Sequence, residues 1–137
     1  MSPRSLVGRI CMTTNLFNTI RTVAVPVADQ DRTRSVLEQL GFTVSMDAEL
    51  QPGFRWIEMD LPGGQASLAL VRTGPDLPVG IDTGIRLATD DARAARAAVA
   101  EAGLDAGDLL DWPDVPLMFS VVDLDGNRFY VSETSTS

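Results

Sequence analysis

The sequence of 137 residues contains no histidine and no lysine, and its one cysteine is Cys11. Without histidine the chain lacks the usual near-neutral proton shuttle and the commonest side-chain metal ligand. Without lysine it cannot form a side-chain Schiff base, and catalytic serine–histidine or cysteine–histidine arrangements are also excluded. A single cysteine excludes an internal disulfide. These absences remove much of the familiar catalytic chemistry.

Positive charge is scarce as well. Acidic residues outnumber basic ones by 19 to 11, the formal net charge is −8, and the basic residues are scattered arginines. Nucleic-acid binding needs clustered positive charge, so we do not expect it. No apolar run approaches the roughly 20 residues of a membrane-spanning helix, and the first residues lack the apolar core of a signal peptide. We therefore expect a cytoplasmic protein that binds neither nucleic acid nor membranes.

A unit of roughly 62 residues occurs twice in the chain. Each copy carries two alternating apolar residues, an aspartate and a glycine at the same spacing. The matched pairs are Val23 and Ile85, Val25 and Leu87, Asp29 and Asp91, and Gly41 and Gly103. Repeats of this size indicate two copies of one supersecondary unit, each of which buries its apolar face against the other.

Each copy predicts a strand, a helix and then further strands. In the first copy we expect strands at 20–28, 42–46, 54–59 and 66–71, with a helix capped by Asp29 or Asp31 and ended by Gly41. In the second we expect a strand around 85–87, a helix from Asp90 or Asp91 to Ala102, a loop at 109–116, and strands at 117–122 and 128–132. The predicted organisation is a leader at 1–18 that contributes little to stability, one domain at 19–134 with modules 19–72 and 82–134, and a tail at 135–137.

Four segments together resemble the vicinal oxygen chelate superfamily. They are Val25-Pro26-Val27-Ala28-Asp29, Leu40-Gly41-Phe42, Arg55-Trp56 and Val122-Asp123-Leu124-Asp125-Gly126-Asn127. The superfamily contains glyoxalase I, extradiol dioxygenases, fosfomycin-resistance thiol transferases and bleomycin-binding resistance proteins. The resemblance implies an α+β fold, in which two βαβββ modules form curled mixed sheets around a cavity. It also implies a homodimer, in which a second copy completes that cavity.

Enzymes of this superfamily hold a divalent metal with histidine, glutamine or glutamate from the first and last strands of each module. Carried over by the resemblance, the ligand positions fall at Thr22, Ser67, Gly84 and Tyr130. Threonine, serine, glycine and tyrosine are poor ligands for zinc, nickel, manganese or iron. We therefore expect no bound metal and no other cofactor.

Glu58 is a further candidate for the site, because it is a carboxylate in the middle of a predicted strand. It could act as a general base or as an anion for a cationic ligand. The plainer interpretation is a carboxylate on the wet face of the strand, or one paired with Arg55 or Arg86. A shift of register would instead bring Glu58 near a metal position.

The remaining candidates are Trp56, Trp112, Arg86 and Tyr130. A tryptophan offers a flat surface for stacking or for cation–π contact, although either one could simply be a core residue. Tyr130 could donate a hydrogen bond to a ligand or fill the space of a missing metal. Arg86 could meet an anionic group or pair with Glu58.

The hypothesis that this sequence favours is a metal-independent protein that binds a small flat organic molecule, resembling the bleomycin-type antibiotic-sequestering branch. One alternative is a glyoxalase- or dioxygenase-like enzyme with atypical ligands, or a cofactor-free isomerase that uses Glu58 and Tyr130. Another is a vestigial or partner-binding member whose cavity is filled. The net negative charge favours neutral or cationic ligands, whereas Arg86 acts locally in the opposite direction.

Overall fold

A computed structural model describes residues 16–134, and within them the two modules follow one another along the chain. The first module consists of β1 (Thr22–Val27), α1 (Gln30–Gln39), β2 (Thr43–Gln51), β3 (Phe54–Asp60) and β4 (Ser67–Arg72). The second consists of β5 (Asp82–Thr89), α2 (Ala92–Glu101), β6 (Asp105–Ala106), β7 (Met118–Val122) and β8 (Arg128–Glu133). The predicted α+β fold of two βαβββ modules is confirmed. Most of the predicted leader and the predicted tail lie outside the described residues.

Both helices begin and end as the repeat predicts. The side chains of Asp29 and Asp91 each accept a hydrogen bond of 3.0 Å from the backbone N–H three residues later, which satisfies a donor that the first turn would leave unpaired. Gly41 and Gly103 follow the helices with φ of 103° and 93°, values that glycine adopts without strain. Neither helix within residues 16–134 is long and apolar enough to cross a membrane.

Each module forms its own four-stranded mixed sheet. The strand orders are β1-β4-β3-β2 and β5-β8-β7-β6, and in each sheet the first pair is parallel while the others are antiparallel. No strand of one sheet pairs with a strand of the other within the described chain. The two sheets therefore do not close into a barrel.

The modules share one apolar core on the helix-bearing side of their sheets. Val25, Ile57 and Met59 are buried in the first module, and Phe119 is buried in the second. Three side chains pack against both sets of buried residues and join them: Leu40, Leu87 and Phe129. An apolar cavity of about 60 Å³ remains in this core. It is too small for a drug-sized ligand, since such sites measure about 300–1,000 Å³.

Two strands differ from the prediction. β2 continues to Gln51 rather than ending at 46, and the two-residue β6 was not predicted. The second half of β2 continues the alternation of the first, since Ala48 and Leu50 alternate with polar residues, and the prediction ended the strand too early. Asp47 is stabilised there because Arg55 donates to both of its oxygens at 2.8 Å and Arg34 donates at 2.6 Å. The pair with Arg55 joins β2 to its neighbour β3 and so supports this part of the strand.

The side chain of Asn127 joins the second module to the first. Its Nδ2 donates to the carbonyl of Pro26 at 2.8 Å and to Asp123 at 3.1 Å, and its Oδ1 accepts from the backbone of Gly80 and Ile81 at 2.9 and 3.2 Å. The residue is fully buried. All the hydrogen-bonding capacity of the amide is therefore used without help from water.

We predict that Asn127→Ala lowers the free energy of unfolding by about 3 kcal/mol, because it leaves a buried carbonyl and two N–H groups without their partner. Denaturant unfolding followed by circular dichroism measures the change. Asn18→Ala is the matched control, since Asn18 is exposed, and it should change stability by no more than about 0.5 kcal/mol. Equal effects of the two substitutions would contradict the role assigned to the Asn127 amide.

Candidate functional site

Both sheets have a second face, away from the helices, and this helix-free face carries the predicted site residues. Side chains alternate across a strand, so Trp56 and Glu58 lie opposite the buried Ile57 and Met59. By the same alternation Tyr130 lies opposite the core residues Phe129 and Val131. The helix-free faces are where polar and aromatic groups are available for binding.

Glu58 is the centre of a hydrogen-bond network on the first sheet. Its Oε1 accepts from Trp56 Nε1 at 2.9 Å and from Arg21 at 3.2 Å, and its Oε2 accepts from Ser67 Oγ at 3.0 Å. The residue is only 6% exposed. We call these four residues the Glu58 network. A buried carboxylate needs such donors, because an unpaired charge in the interior is strongly destabilising.

The plainer interpretation of Glu58 is therefore wrong. Glu58 is not on a wet face, and its basic partner is neither Arg55 nor Arg86. Arg55 instead binds Asp47 and Asp31, at 2.8 and 2.9 Å. Sequence reasoning missed Arg21 because this residue precedes β1 and shares no pattern with Glu58. The contact with Ser67 does bring Glu58 to one of the four carried-over metal positions.

The network lowers the pKa of Glu58 below its ordinary value of 4.5, and the hydrogen bond from Trp56 contributes most to that shift. Hydrogen bonds from Ser67 and Arg21 act in the same direction, while burial opposes them. A general base works best with a pKa near the working pH. The environment of Glu58 therefore favours a carboxylate that is ionised at neutral pH and holds Trp56 in place.

Tyr130 organises a second group of side chains on the other sheet. Its hydroxyl donates to Asp82 at 2.6 Å, and the guanidinium carbon of Arg86 lies 4.3 Å from the centre of its ring. Arg86 also donates to the carbonyl of Gly84 at 3.0 Å. We call Asp82, Arg86 and Tyr130 the Tyr130 cluster. The shared hydrogen bond raises the pKa of Tyr130 and lowers that of Asp82. Asp82 was not among the predicted site residues.

An irregularity in β5 decides which residue lies beside Tyr130. Asp82 and Arg86 are four positions apart in β5, while their partners Arg128 and Tyr130 in β8 are only two positions apart. Gly84 lies in this bulge with φ of 71°, a conformation that side chains rarely adopt. Arg86 rather than Gly84 therefore pairs with Tyr130.

The bulge also changes the correspondence between the modules. The sequence offset between the two copies makes Ser67 the counterpart of Tyr130. The pairing of the strands instead makes Ala69 the counterpart. In the first sheet Ala69 pairs with Ala24 of the parallel neighbour, and in the second Tyr130 pairs with Arg86 at the same place. The sequence offset is thus two residues in error at the last strand of the first module.

The four carried-over positions do not fit a divalent metal. Thr22 Oγ1 donates to the carbonyl of Ser67 at 3.2 Å, and Ser67 donates to Glu58. Gly84 has no side chain, and the Tyr130 hydroxyl is engaged by a carboxylate. Among residues 16–134 no group of three or more histidine, cysteine, aspartate or glutamate side chains is placed to hold a metal ion. No step of a reaction can be derived through a metal at these positions.

The predicted site residues fall into two separate groups. Trp56 and Glu58 lie together on the first sheet, and Arg86 and Tyr130 lie together on the second. No hydrogen bond or ion pair joins the two groups within the described part of the chain. Trp112 lies apart from both on the loop before β7, and it is 60% exposed.

An open cleft lies beside each group. The cleft beside the Glu58 network measures about 490 Å³ and is lined by Ser45, Met46 and Asp60 together with Glu58. The cleft beside Tyr130 measures about 390 Å³. Both fall within the size range of small-molecule sites.

We predict that Glu58→Gln lowers the free energy of unfolding at neutral pH by about 1–3 kcal/mol, because amide oxygen and nitrogen cannot accept all three hydrogen bonds. The folded-state pKa is lowered, so the stabilisation is present above about pH 4.5 and is lost as the pH falls through the folded pKa. The difference in free energy of unfolding between the parent and the variant should therefore become smaller in acid. Chemical unfolding over a pH series tests this, with the exposed Glu101→Gln as control. A difference that is independent of pH would contradict the prediction.

Comparison with known proteins places this fold among relatives. No family model matches the sequence, and no curated protein is similar enough to count as a relative. Among solved structures, TnmS3, an antibiotic binding protein from Streptomyces sp. CB03234, is similar with a TM-score of 0.75 and 28% identity, over 88% of this chain and 98% of that one.

Two further structures extend the similarity. A member of the glyoxalase/bleomycin resistance protein/dioxygenase superfamily from Sphaerobacter thermophilus DSM 20745 has a TM-score of 0.77 and 26% identity, over 86% of this chain and 98% of that one. A glyoxalase/bleomycin resistance protein from Streptomyces sp. CB03234 has a TM-score of 0.70 and 29% identity, over 83% and 99% of the two chains. With its two βαβββ modules, this chain therefore belongs to the glyoxalase/bleomycin resistance protein/dioxygenase superfamily, the vicinal oxygen chelate superfamily.

Proposed function

We propose that this protein binds a small flat organic molecule, without a metal, as a sequestering protein of the antibiotic-binding kind. The observation that carries the proposal is the Glu58 network. The Glu58 carboxylate has three donors from its own chain, so it is not a free metal ligand. It fixes the indole ring of Trp56 and itself lines the open cleft on this face.

The aromatic side chains support a flat ligand. Trp56 is oriented by its hydrogen bond to Glu58, and the ring of Phe54 lies 6.2 Å from it in a tilted arrangement. A ring that is already held in place loses little entropy when a ligand stacks on it. Trp112 offers a second, more exposed surface. The similarity to TnmS3, itself an antibiotic binding protein, supports an antibiotic-like ligand.

The proposal includes a homodimer. Large apolar side chains are exposed on β2, β3 and the loop before β7, among them Met46, Leu50, Phe54, Leu110 and Trp112. β2 is also an open sheet edge within the described residues. Exposed edges and apolar patches are usually covered, and a second copy would cover both while deepening the clefts.

We predict a dimer at micromolar concentration, because the apolar side chains on β2 and β3 favour burial against a partner. Sedimentation velocity of the full chain measures the mass directly. Leu50→Glu places a charge in that patch and should shift the equilibrium to monomer. A parent protein that is monomeric throughout would contradict the shared site.

We predict that flat aromatic antibiotics of the bleomycin type change the tryptophan fluorescence on binding. Replacing the contacted tryptophan by alanine should weaken binding by about 1 kcal/mol or more, the value expected of an aromatic contact. Trp56→Phe and Trp112→Phe each leave a single tryptophan and so identify the ring that reports the ligand. If ligands bind but neither alanine variant loses affinity, the aromatic site is wrong.

Metal independence has its own test. Protein purified without an affinity tag should contain no near-stoichiometric nickel, zinc, manganese or iron by elemental analysis, and its binding should survive a chelator. Stoichiometric metal, or binding that a chelator abolishes, would contradict this part of the proposal and favour the glyoxalase- or dioxygenase-like enzyme.

A further inference from the structure

The cleft beside Tyr130 combines an apolar lining with one available cation. Leu110, Met118 and Phe119 form its apolar part, and Arg128 lies at its polar side. A cleft of about 390 Å³ can hold a ligand of two or three fused rings. The ligand group that contacts the Arg128 guanidinium depends on the partners that Arg128 already has.

Arg128 has hydrogen-bonding capacity to spare. Its single side-chain hydrogen bond within residues 16–134 is a long one, 3.3 Å to Ser120 Oγ. No carboxylate among those residues lies within ion-pair distance of it, whereas Arg21, Arg32, Arg34 and Arg55 all have acidic partners. A guanidinium carries five N–H donors, arranged to meet both oxygens of a carboxylate.

No nearby acidic group among residues 16–134 forms an ion pair with Arg128. Asp82, its neighbour across the strand pair, accepts from the Tyr130 hydroxyl at 2.6 Å and from the backbone N–H of Gly84 at 3.0 Å, and the Arg128 charge acts on it only from beyond hydrogen-bond distance. Arg86, stacked on the Tyr130 ring, adds a second positive charge to the same sheet face. Asp108 also lines the cleft and opposes a bound anion.

The first cleft offers the opposite chemistry. Its arginine, Arg21, is paired with Glu58, and Asp60 lines it as a further carboxylate. A ligand anion would find no unpaired cation there. The charged residues that line the first cleft are therefore net negative, whereas those that line the second, Arg128 and Asp108, balance, so the second cleft is the more favourable place for an acidic group.

We propose that Arg128 binds an acidic group, such as a carboxylate, of the flat aromatic ligand, in the cleft beside Tyr130. This inference rests on the proposed binding function and names the ligand class. It reverses the expectation drawn from the net charge of −8. Charges more than about 8 Å away are screened at physiological ionic strength, so the adjacent guanidinium decides the preference.

Three probes of one shape but different charge test the inference: naphthoate, naphthamide and naphthylmethylammonium. Isothermal titration of the full chain should show naphthoate binding about tenfold more tightly than naphthamide, and the ammonium compound binding most weakly. Arg128→Gln should remove the preference for naphthoate. Asp108→Asn should strengthen naphthoate binding, because it removes the opposing charge from the cleft.

The matched control is Arg93→Gln, which removes one positive charge from the exposed face of α2. It changes the net charge as Arg128→Gln does, and should leave the preference intact. Equal effects of the two variants, or a preference for the ammonium probe in the parent, would overturn the role of Arg128 while leaving the binding function standing. Binding of none of the probes would also overturn it. The fluorescence titration with larger antibiotics tests the binding function separately.

Discussion

A carboxylate that leaves water must receive hydrogen bonds from the protein, and the arrangement of the first sheet follows from meeting this requirement at Glu58. The indole of Trp56, the hydroxyl of Ser67 and the guanidinium of Arg21 all converge on it. Removing one partner from a buried charge costs far more than a surface pair contributes. The three donors are thus committed to the fold, and the carboxylate that they surround is not free to bind another cation.

The second sheet also carries polar side chains on its helix-free face, but they are not joined into a closed network. Tyr130 and Asp82 satisfy one another, and the bulge at Gly84 brings Arg86 over the Tyr130 ring. The group is held by a single short hydrogen bond and a stacking contact rather than by a closed network. Donors are left over on this sheet, whereas on the first sheet they are used up. The repeat has therefore produced two faces with one backbone plan and different side-chain networks.

Local signals in the sequence were sufficient for the backbone plan. The caps at Asp29 and Asp91 and the apolar alternation around Val25 act within a few residues, so the chain itself displays them. Contacts between distant residues were not predictable in this way. The partner of Glu58 is 37 positions away at Arg21, and the two-residue bulge in β5 leaves no mark except one glycine. The predicted residues Trp56, Glu58, Arg86 and Tyr130 lie on the helix-free faces in two groups, which no hydrogen bond or ion pair joins within residues 16–134.

The division into two faces also explains why the net charge is a poor guide to the ligand. Asp31 and Asp47 are neutralised by Arg55 and line neither cleft, so they count toward the net charge without meeting a ligand there. What a ligand meets is the residue whose charge the fold has left unpaired. Within residues 16–134, that residue is Asp60 in the first cleft, and in the second Arg128 is present together with Asp108. Selectivity for ligand charge is then a property of the face that is used, not of the whole molecule.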